Sequence, residues 1–536
     1  MKVKFFGLLF VALAFTLPSA ISGEDGSAIL ARHRAFVGWQ GDDNSVQALK
    51  LTYVLARRAT PAPNATPDAT VTEAPESKPN VTEYRRGIVY RQIVRTGTDL
   101  TREEGYTGKR FWRSDESKNS VSIRELAARK LATEDIVASE GSALVPSVVH
   151  GTAQVGKALV DVVRISPADG VPADLYVDRS TGAFVRVVLN PDDSLESQST
   201  DILSYKEIAP GKKIPSVTRG TVRGAEIRLV NAELNPTFDT SMLLPPKSDT
   251  SWTFASTDPT PITIAESTGV MGGARSVRFR ASINGHEGTF LLDSGAGQIL
   301  LFTPFADTVG LESLGSTGYS GVNGGFVGAK LARVKDLAVG QNILHNAIVT
   351  VSSTNLRGLD GIIGYPLLAN AIVDVDLSGK TMTILDPVKF EATVGKGAFP
   401  FPLDLSTFHA GIAMSFPKNV VAHPFFDSGA SFNVVISSDL YRTGKVSGTP
   451  DTLSVAGFEL REYSVGVDGM SAEKSVCVRT NMTVGPYRYE AARTCFGQAN
   501  VFGHDGGLIG FDFMRHFNWT FDYPEEKLVL TPNGIQ

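Results

Sequence analysis

One short phrase occurs twice in the chain. Phe290-Leu291-Leu292-Asp293-Ser294-Gly295-Ala296-Gly297 returns 134 residues later as Pro424-Phe425-Phe426-Asp427-Ser428-Gly429-Ala430. Each copy runs an apolar stretch into a carboxylate on a Ser-Gly turn. Two copies predict two carboxylates that meet. Close carboxylates cannot both ionise, so such a pair holds one proton, with one member acting as base and the other as acid.

The repetition extends well past the phrase. A glycine follows each aspartate at the same distance, Gly310 and Gly444, after a strand and a short helical turn. Glycine-rich tips come next, Tyr319-Ser320-Gly321-Val322-Asn323-Gly324 and Tyr463-Ser464-Val465-Gly466-Val467-Asp468-Gly469, each read as a hairpin able to cover a cleft. Long hairpins follow, over 330–351 and 474–496. Each copy closes on an apolar-apolar-Gly signal, Ile362-Ile363-Gly364 and Leu508-Ile509-Gly510, then a short helix and a strand pair. The simplest account is an internal duplication.

Both halves resemble the retropepsin-like aspartic peptidases, and together they resemble a single-chain, pepsin-like pairing over about residues 262–536. The carriers are Asp-Ser-Gly-Ala, the Gly324-Gly325-Phe326 flap and the Ile-Gly signals. The resemblance implies a bilobal pair of β-barrels, half 1 over 262–390 and half 2 over 398–536. It implies that Asp293 and Asp427 activate a water against a peptide carbonyl. Ser294 and Ser428 are expected to bond across the interface and hold the two loops. Gly295 and Gly429 are expected to let backbone N–H groups approach the carboxylates. The flaps, with Tyr319, Gly321, Gly324, Gly325, Phe326, Gly466 and Gly469, are expected to close over an extended peptide or protein substrate bound as an added strand. Ile363, Gly364, Ile509 and Gly510 are expected to pack beneath the catalytic loops. The second flap lacks Gly-Gly-Phe, so an asymmetric cleft is expected, with the covering flap left open. Tyr319 is read equally as a cleft residue and as strand core.

The earlier part of the chain, 23–250, reads differently. A helix over 26–37, a break at 38–44 and a strand over 48–55 precede a Pro/Ala/Thr-rich insert at 58–82. Short strands follow, with one good helix expected over Ser122–Ile136 on a Leu126, Ala127, Leu131 and Ile136 face. The whole predicts a mainly β protein, with a curved sheet or half-barrel holding a helix ahead of the two barrels. The Gly105–Trp112 turn, the Leu175–Gly182 hairpin and Val230–Asn235 resemble the lipoprotein-carrier (LolA/LolB-like) fold. That resemblance implies a cavity for a lipid or acyl chain.

Residues 1–22 have the basic start, apolar core and small-residue end of an export signal, so a periplasmic or secreted protein is expected. No other stretch approaches a membrane-spanning length. A net charge of −5 on 536 residues gives no basis for nucleic-acid binding. The two cysteines, Cys477 and Cys495, flank a predicted hairpin turn at Gly485-Pro486, and a disulfide across it is expected. No His-Glu-x-x-His, Gly-x-Ser-x-Gly or phosphate loop is present, so neither metal nor cofactor is expected. Two functions follow: a monomeric, exported aspartic endopeptidase, or a non-catalytic carrier that grips a lipid, lipoprotein or peptide on a protease-like fold.

Overall fold

The computed structural model describes all residues except 1–24, 41–44, 57–79, 142–144, 194–196, 221–225, 256–258, 267–275, 322–325, 393, 396, 432, 452–453, 456–457, 460–463, 467–468, 472–475, 498–505 and 535–536. The signal-like segment and most of the Pro/Ala/Thr-rich stretch therefore lie outside the described residues. The end of that stretch is not linker: Val81 and Thr82 open the strand Val81–Arg86.

The protein is mainly β. It divides into two compact units, one of Met1–Gln47, Ala56–Ala69 and Lys130–Leu229, the other of Ala48–Leu55, Thr70–Arg129 and Val230–Gln536. In the first, six strands from Ser147–Val155 to Lys212–Gly220 form an antiparallel meander, each paired with the next. The helix Gly26–Val37 starts at Asp25, whose side chain accepts from Ala28 N, and ends at Gly38 with φ 77°. His33 pins this helix. Its Nδ1 lies 2.9 Å from the Gly182 carbonyl, its Nε2 lies 2.9 Å from Glu140, and its ring stacks on Phe184 at 3.4 Å.

The predicted Ser122–Ile136 helix begins later, spanning Glu125–Ala138. Ser122 and Ile123 belong instead to the strand Ser120–Ile123, where Val121 and Ile123 are buried in alternation. Nor is the expected apolar face the buried one: Lys130, Thr133 and Asp135 are buried. Thr133 explains its own burial, since its hydroxyl donates to the Val171 carbonyl and accepts from the Val171 amide.

In the second unit the predicted duplication appears as repeated topology. In half 1, Val277–Ile283 pairs antiparallel with His286–Leu292, which runs parallel to Gly361–Ile363. Gly361–Ile363 is antiparallel to Ile299–Phe302, which runs parallel to Asn342–Ser352. Asn342–Ser352 returns through Phe326–Val339 to Val277–Ile283, closing a six-stranded barrel. Half 2 repeats every step with Met414–Phe416, Val420–Phe426, Gly506–Ile509, Val434–Ser437, Tyr487–Gly497 and Val476–Val484, closing at Ser415↔Thr483. Cys477 and Cys495 sit directly opposite in the last hairpin and form the expected disulfide.

A six-stranded sheet joins the halves. Half 1 supplies Ile262–Glu266, Thr381–Leu385 and Ile372–Asp376, and half 2 supplies Phe517–Asp522, Lys527–Pro532 and Phe399–Pro402. The seam is the antiparallel pairing of Ile372 with Asp522 through Val375 with Trp519. Core residues of both halves, among them Phe290, Ile363, Phe426, Ile509 and Trp519, form one continuous cluster.

The hairpin of Phe111–Ser114 and Ser120–Ile123 belongs to this unit too and touches both halves. Val121 enters the shared core. In half 1, the Ser117 hydroxyl accepts from Ile348 N, and the Asn119 side-chain oxygen accepts from Asn370 Nδ2 at 2.8 Å. In half 2, Arg124 N donates to Ser406 Oγ and the Arg124 guanidinium pairs with Glu526. At its turn, the buried Asp115 accepts from both the backbone and the side chain of Asn119. Burial pushes the Asp115 carboxyl up to about 7.

Candidate active site

The two Asp-Ser-Gly turns meet at the end of the parallel strand pairs. Asp293 N donates to Ile363 O and Asp427 N to Ile509 O, so each Ile-Gly signal anchors the aspartate of its own half. Gly364 and Gly510 mark the next step. Tyr365 N donates to Ala296 O, and Phe511 N donates to Ala430 O. A Cβ on Gly364 would lie 2.1 Å from Ala296 O, which explains glycine at that position.

The serines interlock. Ser294 N donates to Ser428 Oγ at 3.0 Å, and Ser428 N donates to Ser294 Oγ at 3.1 Å. Their hydroxyls in turn donate to main-chain carbonyls of the opposite half, Ser294 to Phe426 and Ser428 to Leu292. Both serines are buried, so all these groups are satisfied without water.

The glycines back onto the opposite carboxylates. A Cβ on Gly295 would lie 2.3 Å from Asp427 Cγ, and one on Gly429 would lie 2.5 Å from Asp293 Cγ. Gly295 N donates to Asp293 Oδ1 and Gly429 N to Asp427 Oδ1, each at 2.9 Å. Only a residue without a side chain lets each turn approach its partner this closely.

Each carboxyl is backed by the opposite turn, and each acts on the other's proton affinity. Burial holds Asp293 well above the usual carboxylate range, and the charge of Asp427 adds to the effect. Burial raises Asp427 as well. A pair of this kind keeps one proton where a lone carboxylate would have lost it. Such a pair can polarise a water with one oxygen and protonate a carbonyl with another. Close enough to feel both carboxylates lies Tyr523, 3% exposed, its hydroxyl buried with no hydrogen-bond partner among the described residues, its phenol pushed up by burial and by the pair.

The flaps differ. In half 1, Ser313–Ser320 pairs with Phe326–Val339 from Ser313↔Ala332 to Ser320↔Phe326, and Gly321 follows directly. Gly324 and Gly325 lie outside the described residues, and Phe326 is described only as the first residue of its strand. In half 2, Gly466 pairs with Gly469 in a short hairpin of its own. Tyr319 is packed as its strand-core reading expects. Its hydroxyl bonds Ser352 and Thr354, and its ring packs on a satellite cluster with Leu291, Leu359 and Ile362, beside Ala296 of the catalytic loop.

Sequence reasoning missed His409 and Tyr523. Neither belongs to a motif, and both reach the site through contacts distant in sequence. Among the described residues no group of side chains could hold a metal ion, and no helix is long and apolar enough to cross a membrane.

Comparison with protein families finds that residues 279–367 match the aspartyl protease family, so this region is aspartyl-protease-like. No curated protein matches the chain. Among solved structures, a DUF1329 family protein from Desulfovibrio piger is similar at 12% identity and a TM-score of 0.28, over 41% of this chain and 95% of that one.

Proposed function

We propose that the protein is an exported aspartic endopeptidase in which Asp293 and Asp427 activate one water against the carbonyl of an extended peptide. The observation that carries this reading is the reciprocal contact at the centre: the Gly295 turn lies against the Asp427 carboxyl and the Gly429 turn against that of Asp293. The ionised member takes a proton from the water as the carbonyl becomes tetrahedral. The protonated member gives its proton to the carbonyl oxygen, and the roles reverse as the amine leaves. Both carboxylates come from one chain, so a monomer completes the site. The paired Ser313–Ser320 and Phe326–Val339 hairpin is the covering flap, because it continues a barrel strand and its Tyr319 is braced by two hydroxyls. The carrier alternative has no observation of its own.

The test is cleavage of casein from pH 3 to 8 by the full chain beside Asp293→Asn and Asp427→Asn. Loss of cleavage in both variants supports one shared dyad. Undiminished cleavage in either variant overturns it.

A further inference from the structure

The loop between Leu403 and Gly411 crosses from half 2 to the catalytic loop of half 1. Asp404 and Gly411 close its base with two backbone hydrogen bonds of 2.9 Å. Asp404 Oδ1 accepts from Ser406 N and holds the near side. Within the loop Phe408 has φ 65°, a conformation that a bulky residue adopts only when its surroundings impose it. Those surroundings are visible. Phe408 N donates to Leu405 O, and the ring packs on Tyr365 of half 1 at 4.9 Å.

The strained residue delivers His409 to a particular place. The imidazole stacks on Phe425 at 4.7 Å, two residues before Asp427. Phe426 points into the core with no exposure, so Phe425, its neighbour along the strand, faces the other way. On its other side the ring lies against Gly297, four residues after Asp293. A Cβ there would sit 3.5 Å from His409 Nε2. One side chain thus touches the segments that carry both aspartates.

The ring has one nitrogen in use. Nδ1 lies 3.1 Å from Thr407 Oγ1, and with the ring proton on Nδ1 it donates to that hydroxyl. Nε2 has no hydrogen-bond partner among the described residues, and the residue is partly exposed. The carboxylates on the neighbouring segments are otherwise engaged: Asp404 with Ser406, Asp293 and Asp427 with each other, and Glu125 with His423 on the Phe425 strand. Burial pulls the imidazole down to about 4, so the ring is neutral near pH 6 and Nε2 offers a lone pair.

We propose that His409 is a specificity-determining residue, whose Nε2 accepts a hydrogen bond from an N–H or O–H side chain of an extended peptide lying beside Gly297. The inference rests on the peptidase reading and names the substrate class: peptides carrying an amide or hydroxyl side chain at that position. A carboxylate there would place lone pair against lone pair. An aliphatic side chain would leave Nε2 desolvated without a partner.

The test profiles cleavage of a mixed peptide library at pH 6 by the full chain, His409→Phe and His409→Gln. The expected result is one substrate position enriched in Asn, Gln, Ser or Thr for the wild type. His409→Phe should lose about tenfold in kcat/KM on those peptides, mainly through KM. His409→Gln, which keeps an acceptor, should retain most of the preference. The same peptides and their alanine counterparts are titrated onto Asp293→Asn with and without His409→Phe, which reads recognition apart from turnover. Cleavage with an unchanged profile in His409→Phe overturns the role of His409 and leaves the peptidase reading standing. Discriminating binding without any wild-type cleavage does the reverse. Equal binding of both peptide sets with His409 intact overturns the proposal.

Discussion

Ser294 and Ser428 each hold the other's backbone amide, at 3.0 and 3.1 Å, across a pseudo-twofold seam. Each hydroxyl also donates to the opposite half, so one serine accounts for two buried cross-interface bonds. Ser294→Ala leaves the Ser428 amide and the Phe426 carbonyl buried without partners. The expected cost is about 2–4 kcal/mol, since an orphaned buried polar group costs more than a bond's net worth. Ser428→Ala should cost as much. The two hydroxyls have no partner in common, so on bond counting the double variant should cost the sum of the two. Urea unfolding of the four proteins measures this, and a double-variant cost well below the sum would show that losing one hydroxyl already releases the bonds of the other.

Gly295 and Gly429 give a harsher test. A methyl on Gly295 would have to occupy the place of the Asp427 carboxyl. The turn must shift, and a displacement of about 1 Å in a catalytic group costs on the order of a hundredfold in rate. Gly295→Ala is therefore expected to lose at least that much in kcat, with Gly429→Ala alike. Circular dichroism should show the fold retained. Wild-type kcat in either variant would mean that the turns are not held as closely as the structure shows.

The two barrels were legible because the duplication presents every element twice, and a pattern ambiguous in one copy is resolved by the other. Gly310 and Gly444 illustrate this: both adopt positive φ, 73° and 71°, each just after its short helix. The strand Ser120–Ile123 was hidden because four residues give too short an alternation to compete with the helical pattern beside it. Thr133 was hidden because a buried threonine bonded to a distant backbone leaves no periodic trace. His409 is the sharper case. Its position follows from a strained Phe408 and from contacts with Gly297 and Phe425, none of which has a local signature.

Asp115 predicts how stability depends on pH. Its folded-state carboxyl titrates near 7, above the roughly 3.9 of an unfolded aspartate. The folded chain therefore binds the proton more tightly. The contribution is fully present below about pH 4 and is lost as pH rises through about 7. Its size is on the order of a few kcal/mol. Asp115→Asn keeps an uncharged polar group at the turn and removes this dependence. The wild type minus variant difference in unfolding free energy should fall between pH 4 and 7 and stay flat above. A difference flat across the whole range would mean that Asp115 ionises freely in the folded protein.

Under the proposed peptidase reading, the dyad sets the activity window by the same logic applied to rate. Burial raises both Asp293 and Asp427, and each acts on the other. Cleavage requires one proton on the pair. On the acid side the second proton removes the base, and on the alkaline side loss of the shared proton removes the acid. Because both groups are raised, the alkaline limb should lie above the ordinary carboxylate range, with activity persisting beyond about pH 5. Selective 13C labelling of aspartate carboxyls reads the same pair without substrate. In the wild type two coupled steps are expected, one of them well above 4. In Asp427→Asn the charge of the neighbour is gone, so the upper step should move down toward the value set by burial alone. An upper step unmoved by Asp427→Asn would assign the whole perturbation of Asp293 to burial, and the two carboxyls would then not share a proton.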